Sequence, residues 1–380
     1  MKGTKINRKH ILIYETFAPL LKIYLWLFFD FKCEKVKKRK ETYIVLSNHA
    51  TDYDPLMVAS SFRRQMYFVA SEHIARWPNA YKFLKWGFEP IMRYKGSVAA
   101  STVMEILRKA RHGQNVMMFA EGVRTWDGVT NPILPATGKM VKGANCGLVT
   151  YKIRGGYFVS PMWATSGTRR GPIHGEVVNV YTKEELAQMS NDEVNAIINR
   201  DLYEDAYERQ SDKHYSYKGK ALAEGMENLL FICPECGAHD SFTSSGTTVA
   251  CSKCEHSFTY SENGLLEGSS FATVKELAAW QREEVRKSAE KGEVYTASAA
   301  KMSLVAKHEE TFLCEGPVKM DRETISCGDV TVPLAEISEF AMHGKRALVF
   351  SAGKKYYELI PEKGNNAIKF QYLFEEYKKM

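Results

Sequence analysis

The chain is 380 residues long, with 44% hydrophobic and 12% aromatic residues, which excludes a disordered protein and leaves room for two or three domains. Its formal net charge of +7 is uneven: residues 1–45 hold eleven Lys/Arg against four Asp/Glu, so the other 335 residues are neutral as a whole. A basic end on a neutral body points to an anionic surface, membrane or nucleic acid.

The first predicted element is the apolar run FAPLLKIYLWLFF, Phe17–Phe29, followed by Lys32, Lys35, Lys37, Lys38, Arg39 and Lys40. With 13 residues and Lys22 inside it, the run is shorter than the roughly 20 needed to span a bilayer. No small-residue cleavage site follows it. An apolar, Trp-bearing helix beside a basic cluster predicts a segment lying in the membrane interface, residues 11–40. Each basic residue there contributes about 1 kcal/mol at an anionic leaflet.

From Glu41 to Thr182 strand-like and helical runs alternate. ETYIVLS, QMYFVAS, FEPIMR, NVMMFA, YFVSPMWATSG and GEVVNVYT read as strands; YDPLMVASSF, HIARWPNAYKFLKW and SVAASTVMEILRKARHG carry helical spacing. The pattern predicts an α/β fold, a mostly parallel or mixed sheet with flanking helices. A surface helix pair is expected over Thr182–Ser211.

Composition changes near Phe231. Cys233-x2-Cys236-x14-Cys251-x2-Cys254 has the spacing of a zinc ribbon, in which four thiolates close a tetrahedral structural site. The other four cysteines, Cys33, Cys146, Cys314 and Cys327, follow no disulfide pattern, which favours a reducing cytoplasm. TVKELAAWQREEVRKSAEKG reads as a linker helix. Short strand-like runs from Tyr295 onward, closed by the helix NAIKFQYLFEEYKKM, predict a small β-rich domain. The expected boundaries are 1–228 for the α/β domain with its interfacial helix, 229–262 for the ribbon, 263–293 for the linker helix and 294–380 for the β-rich domain.

Four polar clusters sit at predicted strand ends, where α/β folds place their sites. They are Asn48-His49-x4-Asp54, Arg93-x-Lys95-Gly96, Glu121-Gly122-x-Arg124, and Pro161 within VSPMWA. In this order and spacing, over residues 40–180, they resemble the glycerolipid (1-acyl-glycerol-3-phosphate) acyltransferases. Asn-His-x4-Asp is that family's first block, FAEGVR corresponds to its third, and KMVKGAN and Pro161 to the stretch through its fourth. Ala120 and Val123 replace the proline and threonine usual in the third block, which bears on acceptor preference. The C-terminal strands and helix resemble a PH- or GRAM-like domain in pattern.

The resemblance implies acyl transfer from an acyl-ACP or acyl-CoA thioester to the hydroxyl of lysophosphatidate, giving phosphatidate, or to another lysophospholipid. His49 is then the general base and Asp54 its partner. No Gly-x-Ser-x-Gly elbow occurs, so direct attack by the acceptor is expected, without an acyl-enzyme. Arg93 and Arg124, with Lys95 adding charge, are the expected phosphate ligands. Gly96 and Gly122 permit close backbone approach, and Glu121 is expected to orient Arg124 or bind an acceptor hydroxyl. No catalytic cofactor is expected. Nucleic acid is not an expected partner, because Lys253 stands against Glu235 and Asp240 within the ribbon. The expected location is the cytoplasmic face of the membrane, peripherally bound.

Overall fold

The structure, a computed structural model, describes residues 8–34, 36–37, 39–62, 64–71, 78–93, 99–306 and 309–380. Lys95 and Gly96, with Lys35 and Lys38 of the basic cluster and residues 73–77 of the second predicted helix, lie outside the described residues. The chain forms two compact units, one of residues 1–161 and 168–218, the other of residues 162–167 and 219–380.

The first unit contains α1 (Arg8–Phe29), β1 (Phe31–Cys33), β2 (Tyr43–Ser47), α2 (Asp54–Ser61), β3 (Met66–Ser71), α3 (Pro78–Gly87), β4 (Ile91–Arg93), α4 (Ala99–Arg111) and β5 (Asn115–Phe119). It continues with α5 (Ala136–Ala144), β6 (Gly147–Arg154), α6 (Gly156–Val159), β7 (Ile173–Tyr181), α7 (Lys183–Gln188), α8 (Asn191–Leu202) and α9 (Ala206–Lys213). Its seven strands lie in the order β1-β7-β6-β2-β5-β3-β4. Strands β2 to β6 run parallel, while β7 runs antiparallel to β6 and carries β1 alongside it. The sheet is therefore mixed. Every residue of β2 is buried, as expected of a parallel strand covered on both faces. Ser47 stands opposite Phe119 of β5 and Tyr151 of β6, so these strands bring their carboxyl ends to one edge.

Three expectations change. The run YFVSPMWATSG is not a strand; it opens with the one-turn helix α6. Gly155, at φ 80°, turns the chain out of the sheet just before it. The strand is β6, which starts ten residues earlier in the chain and where a buried Lys152 interrupts the apolar pattern. The predicted helix pair over Thr182–Ser211 is three helices, of which α8 buries Val194, Ile198 and Leu202 in the core. Capping boxes at Thr182/Glu185 and Ser190/Glu193 start α7 and α8. The apolar run at the N-terminus is part of a longer helix, α1, whose 22 residues are long and apolar enough to cross a membrane.

The second unit opens with β8 (Phe242–Ser245), β9 (Thr248–Cys251), β10 (Ser257–Tyr260) and β11 (Leu266–Glu267), a four-stranded antiparallel sheet. Next comes α10 (Val274–Lys291), capped by Thr273 and stopped by Gly292 in the left-handed region. It is no free linker: the buried Gln281 accepts from the Phe231 and Ile232 amides at 2.7 and 3.1 Å and donates to the Leu229 carbonyl at 3.0 Å. Residues 219–293 thus belong to one body with residues 294–380, and the first unit ends at 218 rather than 228.

Seven antiparallel strands complete the unit: β12 (Tyr295–Ala306), β13 (Glu309–Met320), β14 (Thr324–Cys327), β15 (Val330–Pro333), β16 (Ile337–His343), β17 (Ala347–Ala352) and β18 (Lys355–Pro361). A turn at Leu334–Glu336 splits TVPLAEISEFAMHG into β15 and β16. The helix α11 (Ile368–Tyr377) packs on the sheet, stacking Phe374 on Phe340 at 4.6 Å.

Candidate active site

The site grows from the end of β2. Asn48 extends the β2–β6 ladder with its side chain, donating to the Ile153 carbonyl at 2.9 Å and accepting from the Ile153 amide at 2.8 Å. The main chain is thereby released to turn, and α2 begins with Asp54. The turn brings His49 Nδ1 to 2.9 Å from Asp54 Oδ2. Asp54 is fully buried and accepts three more hydrogen bonds: from the Ala50 and Thr51 amides at 2.6 and 2.8 Å and from Thr51 Oγ1 at 2.6 Å. Because Asp54 Oδ2 accepts at Nδ1, that nitrogen carries the ring proton, and Nε2 is the nitrogen left to take one.

The loop after β5 completes the arrangement. Phe119 stacks on the His49 ring, centroids 4.0 Å apart. Glu121 reaches back across the sheet, and its Oε1 accepts from the His49 amide at 2.6 Å. Its Oε2 accepts from the amide and side chain of Asn131 at 2.7 and 3.0 Å. Burial pushes Glu121 up to about 8 against the pull of these donors. Gly122 sits at φ 74°, and a Cβ there would stand 2.7 Å from Arg93 Nη1. Arg93, the exposed last residue of β4, donates to the Gly122 carbonyl at 3.4 Å.

Arg124 is placed differently from expectation. It is buried, with Nε donating to the Ala50 carbonyl at 3.0 Å, Nη1 to Asp52 at 2.8 Å and Nη2 to the Ser160 carbonyl. The guanidinium ties the first block to the third and to the stretch before Pro161. Glu121 does not orient it; among the described residues the partners of Glu121 are His49 and Asn131. The structure thus gathers His49, Asp54, Arg93, Glu121, Gly122 and Arg124. Sequence reasoning missed Thr51, Phe119 and Asn131. Thr51 was legible as a cap-type residue before a helix, whereas Phe119 and Asn131 carry no local signal.

The four sulfurs of Cys233, Cys236, Cys251 and Cys254 lie within 4.8 Å of one another. Cys233 and Cys254 are 3.7 Å apart and Cys236 and Cys251 3.8 Å. Zinc–sulfur bonds of about 2.3 Å in a tetrahedron require sulfurs about 3.8 Å apart, so the cluster fits such an ion and no disulfide forms. His239 and His256 are outside it.

Compared with known proteins, residues 29–162 match the acyltransferase family. No curated protein matches the chain. Among solved structures, the 1-acyl-sn-glycerophosphate (LPA) acyltransferase PlsC from Thermotoga maritima is similar at 17% identity and a TM-score of 0.44, over 55% of this chain and 84% of that one. The family match carries the resemblance drawn from the sequence blocks.

Proposed function

We propose that this protein, with an acyltransferase-family segment at residues 29–162, moves a fatty acyl group from an acyl thioester to the hydroxyl of lysophosphatidate, giving phosphatidate. The observation that carries this reading is the His49–Asp54 pair, 2.9 Å apart at the carboxyl end of β2. The acceptor hydroxyl gives its proton to His49 Nε2 as its oxygen attacks the thioester carbonyl carbon. The carbon–sulfur bond then breaks, and the thiolate of the coenzyme A or acyl carrier protein donor leaves with the proton from the imidazolium. Asp54 stabilises that cation and holds the ring's tautomer. The assay is phosphatidate formation from lysophosphatidate with each donor in turn, followed by product analysis; no product with either donor, or with any lysophospholipid, removes the reading.

Arg93 binds the acceptor phosphate, because its guanidinium is exposed beside the Gly122 turn. Lys95 and Gly96 follow it in the chain and belong to the same proposed phosphate site. Arg124 works as a strut that holds the loops, its Nε, Nη1 and Nη2 each donating to a protein acceptor. Arg93→Ala is expected to raise the acceptor KM roughly 10- to 100-fold, the worth of a charge-assisted hydrogen bond, with the donor KM unchanged. Arg124→Ala is expected to lower the melting temperature and kcat together. Equal acceptor KM values for Arg93→Ala and wild type would displace this assignment.

Glu121 positions His49 through its main chain. In Glu121→Gln the amide NH2 must face one of the N–H donors now bonded to the carboxyl oxygens, at a cost of about 1–3 kcal/mol. The His49 segment shifts to relieve it, and kcat is expected to fall roughly 10- to 100-fold with little change in acceptor KM. A kcat within twofold of wild type would show that the amide bond to His49 is dispensable.

Zinc is the metal proposed for Cys233, Cys236, Cys251 and Cys254, in a structural role. The seven strands with α11 form a PH/GRAM-like module. The enzyme is peripheral on the cytoplasmic membrane face, bound through α1. Tyr14, Leu25 and Phe29 form a buried stripe along that helix, and Tyr14 donates to the Ala59 carbonyl at 2.8 Å. A helix held to its own domain near both ends lies on the bilayer rather than across it, and its opposite face meets lipid.

A further inference from the structure

We propose that α3 is a second membrane-docking element, continuous with α1, and that both rest on an anionic phospholipid surface. The inference builds on the peripheral reading of α1. Helices that cover a sheet turn their large aromatics inward, yet Phe83 and Trp86 of α3 are 47% and 56% exposed. Their rings lie 6.3 Å apart on the outer face.

That face joins α1. Lys9 Nζ stands 3.9 Å from the Trp86 ring centroid, and Gly87 approaches Ile13 closely enough that a Cβ would lie 3.7 Å from its Cγ2. Just past the end of α3, the half-exposed Glu89 lies 3.7 Å from the buried His10 of α1 and 3.5 Å from the buried Lys109 of α4. The two helices therefore present one fixed surface. On α1 it includes the exposed Leu20, Ile23, Trp26 and Leu27.

Charge selects the occupant. α3 carries the exposed Lys82 and Lys85 and no acidic residue, and α1 adds Arg8, Lys9 and Lys22 against Glu15 alone. Aromatic rings with flanking lysines suit the headgroup boundary, where tryptophan sits and lysine reaches phosphate. A protein partner would meet the apolar residues equally well but gives no reason for the one-sided charge. The placement also serves the site. Only Phe88–Pro90 separate α3 from β4, whose last residue is Arg93. Docking α3 sets the proposed phosphate ligand at the level of the lipid headgroups.

The test is flotation of the full chain with phosphatidylcholine–phosphatidylglycerol vesicles and with phosphatidylcholine alone. Wild type is compared with Phe83→Ser/Trp86→Ser and with Leu20→Ser/Ile23→Ser/Leu27→Ser. All five residues are exposed, and circular dichroism checks that each variant is folded. Withdrawing two aromatic side chains from the interface is expected to weaken binding to anionic vesicles roughly 10- to 100-fold, with weaker binding of wild type to neutral vesicles. If the α1 variant loses binding while the α3 variant floats as wild type does, this inference fails and the peripheral reading survives. If neither variant changes flotation, both fail. Wild type that sediments as a dimer, with the α3 variant monomeric and its flotation unchanged, would assign the face to a second copy and overturn the inference.

Discussion

His49→Ala is expected to lower kcat for acyl transfer by roughly 10²- to 10⁴-fold in a protein that remains folded. Among the described residues the ring makes one hydrogen bond, to Asp54, and one stack, on Phe119. Its loss leaves the buried Asp54 carboxylate with the Ala50 amide, the Thr51 amide and the Thr51 hydroxyl still donating to it. The structural cost is therefore small, about 0.5–1.5 kcal/mol for the stack. Asp54→Ala is a poorer probe, since it strips three buried donors of their acceptor at about 1–3 kcal/mol each. The measurement is kcat and melting temperature side by side. A folded His49→Ala protein with wild-type kcat would remove His49 as the base and with it the direct-attack mechanism.

Removing the metal is expected to unfold the second unit. Structural zinc in short cysteine segments supplies on the order of 10 kcal/mol, comparable to the roughly 5–15 kcal/mol that holds a whole domain folded. The knuckle is also built into its surroundings. Asp240, between the two cysteine pairs, holds the buried ammonium of Lys369 from α11 and accepts from the Asn366 amide at 3.2 Å. Phe231 and His239 meet Tyr295 of β12 edge-on. If the knuckle opens, Lys369 keeps the Thr296 carbonyl but loses its counter-charge, and a broken buried ion pair costs about 3–5 kcal/mol. Elemental analysis should find one zinc per chain. Cys251→Ser/Cys254→Ser should lose it, together with the protease resistance of residues 219–380. A metal-free wild type, or a disulfide within either Cys-x-x-Cys pair under reducing conditions, would end the zinc assignment.

The parts of the site that were legible in the sequence are those closed by near neighbours. His49 and Asp54 are five residues apart, and every other donor to Asp54 lies between them, so the strand-to-helix turn forms the pair by itself. Each cysteine pair is likewise a local knuckle, and the double spacing announces the site that the four sulfurs form. Alternation of runs gave the α/β class. It misplaced one strand, because the apolar composition of 157–167 outweighed Gly155 and Lys152 obscured β6.

Only the tertiary structure decided what residues distant in sequence do for one another. Because β5 pairs beside β2, Glu121 meets the His49 amide 72 residues away. Arg124, legible as a cation, is consumed by Ala50, Asp52 and Ser160. Its companion Arg93, on an edge strand, remains exposed. The outward face shared by α1 and α3 follows from the same cause. Periodicity fixes which residues share one side of a helix. Whether that side meets core or solvent depends on which elements pack beside it, a choice made by strand order and burial across the whole unit.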